Sequence, residues 1–182
     1  MGCDIHAYIE FAQKPAGDDR PYWQSFTRNG GGRNYVMFGV LAGVRVPEAQ
    51  LFEPKGMPEG QLSSGVSGDH WILVAPEVHP EWADDEGYCS LANAEAWVKN
   101  GYSVGENDEN RRLRRVSNPD HHSHSWLTAD ELQQALDHYG KVIPTFWSSD
   151  HEVPAEWQEM FGAMRSFEAA DCLTRLVFWF DN

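Results

Sequence analysis

Basic residues are scarce in this sequence, which has 14 Lys and Arg residues against 28 Asp and Glu residues and a formal net charge of −14. A field of that sign disfavours binding to duplex DNA and to anionic membranes, although it permits a local basic pocket for a small anion. No apolar run approaches membrane-spanning length, and we expect no secretory segment ahead of the first predicted strand. We therefore expect neither duplex nucleic acid nor a membrane among the partners.

Cysteines are few, and Cys3, Cys89 and Cys172 have no paired short-range spacing. This pattern indicates a soluble protein of a reducing compartment. The sequence also lacks a Walker loop, a Rossmann fingerprint and a GxSxG motif. Any nucleotide-directed or hydrolytic chemistry must therefore use a different arrangement of residues.

Hydrophobic residues make up 41% of the chain and aromatic residues 13%, which indicates a folded core. Alternation over residues 3–11 predicts a strand with Asp4 and His6 on one face, and YWQSFTR predicts its hairpin partner. The closing CLTRLVFWF predicts another strand. The sequence thus predicts an α+β fold, a single domain over residues 1–182, with an antiparallel sheet that includes the N- and C-terminal strands, several short helices and long loops.

The rest of the chain contains residues that favour the beginnings and ends of helices. Asn34 and Gly43 are the expected cap and end of a short buried helix, and Thr128 with Glu131 forms a capping box for a helix expected to stop at Gly140. Pro154 is expected to open a further helix. We expect long irregular loops over residues 46–70 and around the HSHSW stretch.

The stretch CDIHAYIEF places an aspartate and a histidine, Asp4 and His6, into a hydrophobic strand. Residues two apart on a strand project from the same face, where they can share a metal ion or combine as a carboxylate-oriented acid–base pair. A solvent-facing polar strand face is the simpler interpretation of these two residues alone.

The stretch PDHHSHSWL concentrates histidines ahead of a capped helix. His122 and His124 are candidate ligands of the same metal ion, together with Asp4 and His6. Ser123 is a candidate hydrogen-bond donor to an anion near the helix start. A solvated polar loop is the alternative interpretation.

A third feature combines cationic, polar and aromatic side chains. Guanidinium groups suit phosphates, and aromatic rings suit nucleobases. The candidate ligand-binding residues of this kind are Arg33, Asn34, Tyr35, Arg45 and Trp126.

The chain resembles a family of small bacteriophage proteins. The resemblance is carried by MGCDIH at the start, RNYVMFGVLAGVR at 33–45, HSHSWLT at 122–128 and RLVFWFDN at the end. It implies an accessory role, with anti-defence as the expected activity, in the cytoplasm of an infected bacterium. Some phage families capture or cleave the nucleotide signals of bacterial immunity.

Two hypotheses of different classes follow. In the first, a pocket at a homo-oligomer interface sequesters a phosphorylated nucleotide-type signal through His6, His124, Ser123, Arg33 and Arg45, with Tyr35 or Trp126 stacked on the base. In the second, Asp4, His6, His122 and His124 form a phosphodiesterase-type hydrolase, with or without a divalent metal ion, and Asp4, His6 and His124 are catalytic. A third interpretation is a protein inhibitor that acts through its acidic surface.

Overall fold

The computed structural model describes residues 2–17, 19–29, 32–105, 113–146 and 152–181, with the backbone alone for residues 27–29. Strands and helices are mixed along the chain. The strands are β1 (Ile5–Gln13), β2 (Gln24–Asn29), β3 (Trp71–Val74), β4 (Tyr88–Cys89), β5 (Arg115–Ser117), β6 (His122–Leu127) and β7 (Cys172–Phe180). The helices are α1 (Tyr35–Ala42), α2 (Ser64–His70), α3 (Leu91–Lys99), α4 (Ala129–Phe146) and α5 (Ala155–Ala169), with 3₁₀ turns at Pro47–Ala49 and Pro80–Asp84.

The chain divides into two compact units, a first unit of Met1–Val66 with His122–Asn182 and a second unit of Ser67–His121. The first unit contains a four-stranded antiparallel sheet in the order β2-β1-β7-β6. The predicted α+β class, with an antiparallel sheet that includes the first and last strands, is confirmed. The single domain over residues 1–182 stays a prediction.

The central strand β7 separates two apolar clusters because its side chains alternate between the faces of the sheet. Phe178 and Phe180 belong to the main core, which also contains side chains of α1, α4 and α5. Val177 and Trp179 lie on the opposite face and pack with Tyr8 of β1. Both faces of β1 and β7 are therefore covered along much of their length, and the polar residues His6, Glu10 and Arg175 are buried.

The caps of α1 form as the sequence predicts. The Asn34 side chain accepts a hydrogen bond from the Met37 N–H at 3.0 Å, and Gly43 adopts the left-handed conformation with φ 69°. The capping box also forms, since the Glu131 N–H donates to Thr128 Oγ1 at 3.2 Å.

The end predicted for α4 is wrong, because the helix continues through Gly140 and Pro144 to Phe146. Its buried stripe continues past the glycine, with Tyr139 followed by Ile143. Burial of that face outweighs the weak helix propensity of Gly140.

Two predicted loops are also corrected. The segment 46–70 contains a 3₁₀ turn and α2, and HSHSWL is the strand β6. The polar residues of β6 do not predict a strand. The strand forms because β6 pairs with β7, where Trp126 lies opposite Val177. Tertiary pairing overrides the local polar composition here.

The second unit has its own three-stranded sheet in the order β4-β3-β5, with β3 parallel to β4 and antiparallel to β5. A small core of Cys89, Ala94 and Val116 lies between this sheet and α3.

None of the described helices in the chain combines the length and the apolar character that a bilayer crossing requires.

A buried ion pair joins β1 to β7 on the Trp179 face. The Arg175 guanidinium donates from Nε to Glu10 Oε2 at 2.6 Å, and Glu10 Oε1 accepts the Ser63 N–H at 2.6 Å. Burial lowers the pKa of Arg175, while the Glu10 carboxylate opposes that shift. The pair therefore attaches the chain before α2 to the sheet.

We predict that Arg175→Met lowers the free energy of unfolding by about 3–5 kcal/mol, because it leaves the Glu10 carboxylate buried without its cation. Urea denaturation of the variant measures the loss. The double variant Glu10→Gln with Arg175→Met should lose less. Lys14→Met, at an exposed ion pair with Asp171, is the matched control and should change little. An Arg175→Met loss no larger than that of the control would contradict a stabilising role.

Candidate functional site

The start of β1 and the end of β7 meet at one edge of the first unit. His6 pairs with Trp179 in the ladder, and the Asp181 N–H donates to the Asp4 carbonyl at 3.2 Å. This register brings the Asp4 and Asp181 backbones together. We call the side chains gathered there the polar corner: Cys3, Asp4, His6, Arg33, Arg45 and Asp181.

Asp181 connects the two strands through both of its carboxylate oxygens. Oδ1 accepts the Asp4 N–H at 2.9 Å, and Oδ2 lies 3.1 Å from His6 Nε2. Because a carboxylate only accepts hydrogen bonds, His6 Nε2 carries the hydrogen. The His6 side chain is 11% exposed and that of Asp181 33%. The result is a carboxylate-oriented imidazole at the rim of the sheet, a geometry that suits acid–base chemistry.

Trp179 lies between two of the predicted histidines, because β7 separates β1 from β6. The His6 ring stacks on Trp179 with centroids 5.5 Å apart and planes 10° apart. The His124 ring lies 6.1 Å from Trp179 at 30°. The first strand and the HSHSW stretch thus meet through this indole and do not pair directly.

His122 and His124 contact opposite faces of the sheet. The β6–β7 register shifts between His122 and Ser125, where Ser123 has a positive φ of 51°. This bulge reverses the usual rule that residues two apart share a face. His122 therefore stacks on Phe180 of the main core at 6.0 Å, while Ser123 Oγ hydrogen-bonds its Nδ1 at 3.0 Å.

The residues predicted to ligate a metal ion do not converge. Within the described part of the chain, no three of Asp4, His6, His122 and His124 place ligand atoms within 4.8 Å of one another. Zinc and similar ions need three or four such ligands. These four residues therefore do not form a metal site in the described structure.

Arg33 holds the Asp4 carboxylate in a two-pronged contact. Its Nε donates to Oδ1 at 2.7 Å and its Nη2 to Oδ2 at 3.1 Å. The side chains are 59% and 50% exposed. The hydrogen bonds from Arg33 lower the pKa of Asp4. The Arg33 guanidinium group is therefore exposed to solvent, and two of its nitrogens bind the Asp4 carboxylate.

Arg45 brings a second guanidinium group to the polar corner. Burial raises the pKa of the Cys3 thiol, and Arg45, which hydrogen-bonds that side chain, opposes the rise. Arg45 has a positive φ of 65°, a conformation that residues with a side chain rarely adopt. The polar corner therefore contains two guanidinium groups and an imidazole besides its two carboxylates, whereas the chain as a whole has a formal net charge of −14.

The other predicted ligand-binding residues lie in different settings. Both polar groups of Asn34 are engaged within the fold, since its amide also donates to the Tyr139 hydroxyl at 3.0 Å. Tyr35 is 37% exposed at the start of α1, with its ring edge-on to Phe38. Trp126 lies beneath the Lys55 ammonium, 4.2 Å from the ring centroid.

Sequence reasoning missed Asp181 and Trp179 as site residues. Asp181 is 177 positions from Asp4, so only the antiparallel pairing of β1 with β7 reveals the contact. The polar Asp181 directly after the apolar run of β7 was the one available signal.

Comparisons of the chain with protein-family models, with curated proteins and with solved structures found no match.

We predict that the Asp4 carboxyl titrates below its ordinary pKa and moves back towards it in Arg33→Gln. A carboxyl whose pKa is lower in the folded state stabilises the fold above its unfolded pKa, and that contribution is lost as pH falls through the folded pKa. Carbon-13 NMR of the carboxyl carbon measures the midpoint. An unchanged midpoint in Arg33→Gln would show that the ion pair does not form in solution.

Proposed function

We propose that this protein is a phage accessory protein that binds and sequesters a phosphorylated nucleotide-type signal at the polar corner, in the host bacterial cytoplasm, and so acts against host defence. One observation carries the proposal: the exposed fork of Arg33 already holds an anionic group, the Asp4 carboxylate, in a bidentate contact. The same fork matches the geometry of a phosphate.

Replacement of the Asp4 carboxylate by a ligand phosphate as the partner of Arg33 costs little free energy. Exposed ion pairs are typically worth only about 0–1 kcal/mol, and both of these side chains are more than a third exposed. A phosphate brings more oxygen acceptors than a carboxylate does. The Asp4 carboxylate thus occupies the place that the ligand takes.

Further groups at the polar corner favour an anion. Arg45 adds a second guanidinium group beside Cys3. The amino end of α1, which carries a partial positive charge, begins two residues after Arg33. His6, held by Asp181, contributes positive charge when it is protonated. These groups account for anion binding by a protein that is acidic overall.

The base of the nucleotide can stack on an aromatic side chain, Tyr35, which follows closely after Arg33 in the chain. Tyr35 is separated from Arg33 by one residue, and Tyr35 as a whole residue is 37% exposed. Stacking of a base on an aromatic side chain is worth about 1–3 kcal/mol in single-stranded nucleic acid complexes. Tyr35 is therefore the residue we assign to base stacking.

A second candidate function, hydrolysis of the same ligand, is favoured by the His6–Asp181 pair. In this reaction water attacks phosphorus and passes a proton to His6 Nδ1, and the P–O bond to the leaving alcohol breaks. The leaving oxygen then takes the proton from the imidazolium. Asp181 keeps the imidazole in the required tautomer throughout.

A capture-and-release assay tests both functions. The protein is incubated with cyclic dinucleotides and ADP-ribose-type nucleotides, freed of unbound material and heat-denatured, and the released fraction is analysed by chromatography. We expect an intact ligand, and we expect Arg33→Gln to weaken its binding about two- to fivefold, as the loss of an exposed ion pair does. Arg165→Gln, which removes another exposed arginine paired with carboxylates, is the matched control.

The outcome decides between the candidates. Release of a cleaved product assigns hydrolysis, and Asp181→Asn should then slow turnover while leaving ligand binding in place. Equal weakening by Arg33→Gln and Arg165→Gln would show that the ligand does not use the polar corner. A nucleotide panel left wholly in solution would contradict both functions.

A further inference from the structure

The second unit contains a cavity of about 920 Å³ within its own residues. Pockets of roughly 300–1,000 Å³ are typical of small-molecule sites. Its walls come from β3, the Pro80–Asp84 turn and the start of α3, and they are mostly apolar. Leu73, Val78 and Leu91 line it and are 43%, 79% and 43% exposed. The cavity therefore offers apolar surface that a ligand can cover.

An aromatic side chain with a fixed orientation lines the cavity. Trp82 stacks on His79 with centroids 4.6 Å apart and planes 5° apart. Its ring also meets Tyr88 edge-on, with centroids 5.6 Å apart. Because two rings hold the indole, a ligand that packs against it loses little additional side-chain entropy on the protein side.

The cavity carries more negative than positive charge. Glu77, which follows β3, and Glu95 of α3 both line it. Neither carboxylate has an ion pair or a hydrogen bond to a residue in the described ranges. Arg114 also lines the cavity and is engaged in an interaction of its own. Charge complementarity thus favours a cationic group over a phosphate.

We propose that this cavity binds a small organic cation, an amine attached to an apolar body. The apolar body covers Leu73, Val78 and Leu91, and the ammonium group lies near Glu77 and Glu95. Trp82 adds cation–π attraction, which a neutral ligand does not receive. This charge preference is opposite to that of the polar corner, so the two sites take different ligands.

Titration with three matched probes tests the proposal: 4-phenylbutylamine, 4-phenylbutanol and 4-phenylbutyrate. Each has a phenyl group at one end of a four-carbon chain, and the three differ in charge at the other end. Binding is measured by ligand-observed NMR and calorimetry on the full chain. We expect the amine to bind most tightly, and we expect Glu95→Gln and Glu77→Gln each to weaken it by about two- to fivefold. The control is Glu86→Gln, an exposed carboxylate of the same unit outside the cavity lining.

Each result counts for or against the proposal. Preference for the amine, reduced by Glu95→Gln or Glu77→Gln and unaffected by Glu86→Gln, supports it. Equal binding of the three probes would overturn the charge selectivity. Absence of amine binding, or preference for 4-phenylbutyrate, would overturn the site. Since the glutamate substitutions are at exposed positions, loss of folding does not confound the test.

Discussion

The antiparallel pairing of β1 with β7 is the constraint on which the rest of the first unit depends. Nine residue pairs, from Ile5 opposite Phe180 to Gln13 opposite Cys172, fix the register of the two strands. A shift by one residue would exchange the core face and the polar face. The register therefore determines both the main hydrophobic core and the meeting of Asp4 with Asp181.

Side chains along β1 alternate between the two faces of the sheet, and the two faces have different roles. Ile5, Ala7 and Ile9 belong to the main core. The residues between them face the Trp179 side, where His6 binds Asp181 and Glu10 binds Arg175. Because this face is also covered, the polar side chains on it require partners, and Arg175 of β7 and Asp181, which follows β7, supply them. The same contacts that stabilise the sheet thus orient an imidazole at its rim.

Much of this fold follows from local signals in the sequence. The strand β7, the caps of α1 and the capping box before α4 need only neighbouring residues, and the sequence predicts them. The strand β6, the last turns of α4 and the partnership of His6 with Asp181 depend on residues far away in the chain. Local composition is misleading or insufficient in those places: the histidines of β6 suggest a loop, Gly140 suggests a helix end, and the apolar run before Asp181 does not identify His6 as its partner. The sequence predicts Arg33 as a candidate ligand-binding residue, but its contact with Asp4 could not be predicted from local signals.

Side-chain NMR of Arg33 tests the central claim most directly. The Arg33 Nε–H signal and the imidazole signals of His6 would be followed during titration with ADP-ribose and with a cyclic dinucleotide. Our account predicts that at least one of these nucleotides shifts the Arg33 and His6 signals together, as phosphate replaces Asp4 in the guanidinium fork, while the Arg165 signal stays in place. If neither nucleotide moves the Arg33 signal, or if Arg165 shifts equally, the polar corner is not a nucleotide site and serves only to join β1 to β7.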